Sequence, residues 1–276
     1  MAEGARYALV TGANKGIGFE VCEQLARKGI TVLLTARDEQ RGLAAVQKLA
    51  ERGLSVHFRQ LDVSDQASVD ALADFVKTRF PRLDILVNNA GVGCSTLKEG
   101  TSGSPVWHET LEQGEKCVKI NYWGAKRMFE SMVPFLQLSD AGVVVNVAST
   151  LGKLEYVKNE WAKGVLGDAE NLTEDRVDEV LRKFLEEAKG GLPCWTEMLS
   201  AYSISKAAMN AYTRIIAKKY PPICSNSVCP GYSRTDMTGN KGIYSVEEGA
   251  ESVVRLALLP TGTSGCFFVR HQLASF

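Results

Sequence analysis

The sequence predicts an α/β fold, a doubly wound parallel sheet with helices on both faces. Three observations carry this. Short apolar runs such as Tyr7–Val10, Ile85–Asn88 and Val143–Val147 read as strands buried on both faces. They alternate with amphipathic stretches through short loops, which implies parallel strands joined by crossover helices. Three glycines, Gly12, Gly16 and Gly18, follow the first strand and open the first helix.

The elements follow in order. Gly16–Lys28 is helical, with Val21, Leu25 and Ala26 inward. Thr31–Thr35 is β-branched and apolar, hence a strand, and Glu39–Glu51 a helix. Val56–Leu61 is a strand and Ala67–Phe80 a helix, with Val69, Leu72, Phe75 and Val76 on one side. One long helix is expected over Gln113–Leu138. Ala201–Lys219 and Val246–Leu258 are helices, and Ser225–Val228 and Gly265–Val269 strands. Within Thr150–Leu199 the alternation breaks. There Asn171-Leu172-Thr173-Glu174 resembles a capping box, and Val177, Val180, Leu181, Phe184, Leu185 and Ala188 follow at helical spacing. We therefore expect a single domain, residues 1–276. It carries an inserted, lid-like helical segment, 151–200, that either covers the substrate pocket or simply packs on the body.

Bulk composition excludes several classes. At 276 residues and 45% hydrophobic, the chain can fill one large core. Lys+Arg and Asp+Glu balance at 32 each, unlike a generally basic nucleic-acid binder. The first residues run straight into a strand, leaving no room for a signal peptide, and no apolar run reaches membrane-spanning length. Seven scattered cysteines suggest reduced thiols in a cytoplasmic protein. Three histidines make a Ser-His-Asp hydrolase or a His-rich metal site a poor fit, so no metal is expected.

At the glycine cluster, small residues let backbone approach a pyrophosphate, and the helix N-terminus supplies N–H donors and positive potential. The second strand ends Thr35-Ala36-Arg37. Arg37, with Lys15, could clamp a ribose 2′-phosphate, which points to NADPH/NADP+. Asp38 reads as a helix cap. Asp62, after the third strand, suits an adenine edge. Asn88-Asn89-Ala90-Gly91 closes the fourth strand, where such a sheet presents ligands.

Reduction of a ketone makes an alkoxide, so one group must donate a proton and another must polarise the C=O. Tyr202 and Lys206, four apart, share a helix face. A neighbouring ammonium and a cationic nicotinamide would stabilise the phenolate. Ser149, just past the Val143–Val147 strand, could hold the carbonyl oxygen.

With these motifs the chain resembles the short-chain dehydrogenase/reductase family over nearly its whole length. Thr11–Gly18, Asn88–Gly91, Asn121, Val145–Ser149, Tyr202–Lys206 and Pro230–Asp236 carry the likeness. The long insertion narrows it to the carbonyl-reductase branch and, within it, to plant menthone/neomenthol dehydrogenases and salutaridine reductases. The resemblance implies a Rossmann fold, NADPH dependence and a monomer. In tetrameric relatives the face of the Tyr helix serves assembly, and the insertion covers it.

The resemblance also implies residue roles. Asn121, Ser149, Tyr202 and Lys206 would be catalytic, with Asn121 holding a water that links Lys206 to solvent. Thr235 would meet the nicotinamide carboxamide, and Asn88 and Lys206 the nicotinamide ribose. The cofactor-binding set is then Gly12, Asn14, Lys15, Gly16, Ile17, Gly18, Arg37, Asp62, Val63, Asn88, Ala90, Gly91, Tyr202, Lys206, Pro230, Gly231 and Thr235. Ser149 and Tyr202 would also bind substrate. The serine motif reads Val147-Ala148-Ser149, and the loop after Gly91 is shorter than in many plant relatives.

Specificity is expected from Val92-Gly93-Cys94, the insertion and the loop after Pro230-Gly231. Tyr156, Trp161, Trp195, Met198, Tyr232 and Met237 are candidate pocket walls or plain packing residues. The expected activity is NADPH-dependent reduction of a bulky hydrophobic ketone, terpenoid- or alkaloid-like, to the secondary alcohol. No nucleic-acid or membrane partner is expected. An alcohol dehydrogenase working oxidatively, or a non-catalytic NADP(H)-binding regulator, stay open as alternatives.

Overall fold

The computed structural model describes residues 5–93, 96–99, 105–191, 193–259 and 262–276. The first strand β1 (Tyr7–Val10) leads into helix α1 (Gly16–Arg27). Strand β2 (Thr31–Ala36), helix α2 (Glu39–Glu51), strand β3 (His57–Gln60), helix α3 (Gln66–Arg79) and strand β4 (Ile85–Asn88) follow. Strands β5 (Thr96–Glu99) and β6 (Pro105–His108) form a separate two-stranded sheet. Helices α4 (Leu111–Val118) and α5 (Ala125–Leu136) lead to β7 (Val143–Val147). After the insertion come α8 (Ser200–Lys219), β8 (Cys224–Cys229), α9 (Val246–Ala257), β9 (Phe267–Val269) and β10 (Gln272–Ala274). The insertion itself carries α6 (Glu160–Gly167) and α7 (Glu174–Ala188).

The main sheet runs β10-β9-β8-β7-β4-β1-β2-β3. Every pairing is parallel except β9 with β10. The chain therefore builds outward from β1 in one direction through β2 and β3, then in the other through β4, β7, β8 and β9. A crevice opens at the carboxyl ends of the strands where this direction reverses, between β1 and β4. All residues of β1, β4 and β7 are buried, which is why they read as unbroken apolar runs. Two large apolar clusters, one on each face, hold the sheet between helices.

Local signals set the helix starts. Asp38 accepts from the Arg41 amide at 2.9 Å, as a cap should, and Thr110 and Ser245 each form a capping box. In the insertion the cap lies later than expected. Thr173 accepts from the Arg176 amide at 3.3 Å, whereas Asn171 closes a turn on Asp168. Val177, Val180, Leu181, Phe184 and Ala188 of α7 are buried as their spacing implied, and Leu185 is half-buried. This apolar stripe packs on α8 and α4, while Lys126–Asp178 (2.7 Å) and Lys219–Glu174 (3.0 Å) tie its flank to the body.

Two expectations are corrected here. The single long helix over Gln113–Leu138 is interrupted by a π-helical segment, Lys119–Gly124. Propensity does not mark such turns, and they often accompany functional sites. The cysteines are not all reduced: Cys117 is disulfide-bonded, while Cys22, Cys194, Cys224, Cys229 and Cys266 are free thiols. Among the described residues, no helix is long and apolar enough to cross a membrane.

Candidate active site

A cleft of about 1150 Å³ runs along the carboxyl edge of the sheet. At one end lies the turn from β1 into α1. Gly12 and Gly16 have φ of 62° and 59°, the left-handed region that glycine enters without penalty. A Cβ on Gly12 would sit 2.8 Å from the Ala90 backbone, so no larger residue fits. Helix α1 has no side-chain cap at its N-cap residue, Lys15, which leaves its first amides free to meet an anion. The cradle and its donors therefore fit a dinucleotide pyrophosphate.

Most of the expected cofactor residues line this cleft: Gly12, Asn14, Lys15, Gly16, Ile17, Gly18, Arg37, Asp62, Val63, Ala90, Gly91, Tyr202, Lys206, Pro230, Gly231 and Thr235. Asn88 does not. Its side chain turns into the sheet, where Nδ2 donates to Asn146 Oδ1 at 2.9 Å. The next residue, Asn89, reaches the cleft instead, and its Nδ2 donates to the carbonyls of Thr11 and Gly12. The alternation of a strand decides this, since successive side chains point to opposite faces.

The cations are arranged differently from the expected Lys15–Arg37 clamp. Lys15 is ion-paired with Asp236, across the cleft mouth. Arg41 lines the cleft together with Arg37. Sequence reading missed Arg41, although its place in the first turn of α2, four residues past Arg37, was a usable signal.

At the other end the chemical groups converge. Tyr202 and Lys206 project from α8, whose packed face is buried almost throughout. Ser149 follows β7, and its hydroxyl stands close enough to the Tyr202 phenol to lower that phenol's pKa. Lys206 Nζ donates to the Val147 carbonyl at 2.7 Å and lies 5.7 Å from the centre of the Tyr202 ring. Burial pushes the Tyr202 phenol up to about 12, with the Ser149 hydroxyl pulling the other way. Burial also depresses the Lys206 ammonium to about 8. In the chain alone, then, desolvation outweighs the expected lowering of the phenol by its lysine neighbour.

Asn121 sits in the π-helical segment, fully buried. Its Oδ1 accepts from the Val92 amide at 2.8 Å, and its Nδ2 donates to the Val92 carbonyl and to Ser205 Oγ. A Cβ on Gly91 would stand 3.3 Å from Asn121 Oδ1 and 3.6 Å from Lys206 Nζ. Both groups thus approach the same glycine. The site therefore combines a proton-bearing phenol, a hydroxyl beside it, a cation behind it and a polar connection inward.

Of the candidate wall residues, Tyr232 and Met237 line the cleft. Trp195 packs edge-on against Trp161 and Phe184 instead, in the interior of the insertion. Cys94 lies outside the described residues. Among those described, none from 152–198 lines the cleft. Helices α6 and α7 pack against α8.

The short chain dehydrogenase family model matches residues 6–160. A (+)-neomenthol dehydrogenase of Arabidopsis thaliana is 52% identical over 99% of both chains. A (-)-isopiperitenone reductase of Mentha piperita is 49% identical, covering 99% of this chain and 98% of its own. The solved salutaridine reductase of Papaver somniferum superposes with a TM-score of 0.89 at 45% identity, over 96% of this chain and 99% of the other.

Proposed function

The chain belongs to the short-chain dehydrogenase family, and from that premise we propose that it reduces a bulky, uncharged, hydrophobic ketone to the secondary alcohol with NADPH. The observation that carries this is the Ser149–Tyr202–Lys206 arrangement at one end of a cleft whose other end is a glycine cradle. The bound cofactor would supply the hydride to the carbonyl carbon. Ser149 Oγ–H would hold the carbonyl oxygen and stabilise its growing charge. Tyr202 would give that oxygen its proton through Oη–H. Lys206 would then stabilise the phenolate left behind, and Asn121 would help return a proton from solvent.

The preference for NADPH rests on Arg37 and Arg41. Both are exposed guanidiniums at the cleft beyond the end of β2. Arg37 makes no ion pair among the described residues, and Arg41 only a long one with Asp38 at 3.7 Å. Either can fork onto a 2′-phosphate. Arg37→Glu should raise the Kd for NADPH by about 10–100-fold relative to NADH. Fluorescence titration with both cofactors measures it, and an unmoved ratio removes Arg37 from the phosphate site.

The substrate class follows the apolar cleft residues Val92, Tyr232 and Met237 and the terpenoid and alkaloid reductases to which the chain is similar. We further infer a monomer, because α7 covers faces of α4 and α8. The direct test follows consumption of NADPH, then NADH, with bulky cyclic ketones and small aromatic aldehydes. NADPH oxidation with a cyclic ketone is expected. Tight NADPH binding with no turnover on any carbonyl would favour a non-catalytic role.

A further inference from the structure

Leu199 occupies a backbone conformation that its side chain opposes. Its φ is 50° and its ψ 59°, the left-handed region where a Cβ crowds the following carbonyl. Glycine or asparagine would adopt it at little cost, as Asn240 does elsewhere in this chain. Leucine offers no side-chain hydrogen bond in return. The turn is nevertheless held from several sides. The Met198 carbonyl accepts from Ser203 Oγ at 2.8 Å and from Thr196 Oγ1 at 3.1 Å. The Leu199 carbonyl accepts the Ser203 amide at 2.8 Å, and the Ala201 amide donates to Glu109 Oε2 at 3.4 Å. Strain maintained this firmly at a non-glycine residue is a reason to look for a task.

The task is indicated by place. Leu199 is half-buried, stands one helical turn before Tyr202 and lines the cleft that holds Ser149 and Tyr202. Tyr232 and Met237 also line it, and each is about half exposed, at 51% and 49%. Met237 lies against Gly93, so this apolar wall is continuous with the segment after β4.

We propose that Leu199 is a substrate-selecting residue, its isobutyl group fixed by the left-handed turn as the wall against which a bulky hydrophobic ketone packs. The inference rests on the carbonyl-reductase reading of the cleft. It identifies a determinant at the N-cap of the Tyr helix, outside the loop after Pro230-Gly231.

Two variants separate side chain from backbone. Leu199→Ala removes the isobutyl group and keeps the strain, whereas Leu199→Gly removes both. In each, the ratio of kcat/KM for menthone to that for a small aromatic aldehyde should fall by about tenfold or more. Leu199→Gly should melt at or above the temperature of Leu199→Ala. A second readout needs no turnover: neomenthol, added with NADP+, should raise the melting temperature of the wild type and do so much less in both variants. If neomenthol discriminates in this way while no carbonyl is turned over, the reductase reading fails and the role of Leu199 stands. If the kcat/KM ratio and the neomenthol shift both match wild type in both variants, the proposal is overturned.

Discussion

Tyr202→Phe should lower ketone turnover by about 10²–10⁴-fold while the affinity for NADPH stays within about threefold. The change removes one oxygen from a packed helix. The ring remains, and the Leu151 amide still donates to Ser149 Oγ at 3.2 Å, so the site keeps its shape. Steady-state assays against cofactor titration separate the two effects. A loss smaller than tenfold would mean that the proton comes from another donor. With burial holding the phenol near 12 in the chain alone, Tyr202 is protonated at neutral pH. That is the form needed for reduction. Alcohol oxidation needs the proton gone, so the reductive rate should fall and the oxidative rate rise as pH increases.

Lys206→Met should abolish most turnover without destabilising the cofactor-free protein, and should stabilise it if anything. Lys206 is 4% exposed, donates to one backbone carbonyl and forms no ion pair among the described residues. Its ammonium is depressed from 10.5 to about 8 by burial. The folded chain therefore binds fewer protons than the unfolded chain between those values. Below about 8 the full penalty applies, on the order of 3 kcal/mol. It fades as pH rises from 8 to 10.5. Methionine has similar length and no charge. Against the gain stands an unpaired Val147 carbonyl, costing about 1–3 kcal/mol. Calorimetry should show the variant at or above wild type at pH 7, with wild type gaining on it as pH climbs toward 10. A variant that melts far below wild type, or a gap indifferent to pH, would refute the account.

The sheet was legible because burial on both faces leaves runs such as Ile85–Asn88 and Val143–Val147 with little but apolar residues. Helix α2 was legible from Asp38 and its apolar spacing. The strands β5, β6 and β10 were not, because short strands near an edge or outside the main sheet lack that pattern. At the site, residue types and spacing pointed to Ser149, Tyr202 and Lys206. Which of Asn88 and Asn89 reaches the cleft depended on strand phase at one residue. The partner of Lys15 is 221 residues away in the chain, a pairing that local reading could not supply.

The π-helical segment also governs the length of the chain around it. Buried positions run Cys117, Asn121, Ala125 at steps of four through the turn, and then Met128, Met132, Leu136 beyond it. A wider turn absorbs a surplus residue, so both stretches can face inward. Were this turn to close to an ordinary helical one with every residue kept, everything on one side would rotate by about 100° against the other. Either Asn121 would leave the Val92 backbone, or Met128 and Phe129 would leave the interior. The wide turn is thus held from two directions, by chemistry upstream and by packing downstream. Single-residue insertions should be tolerated in the surface turns of this chain long before they are tolerated here.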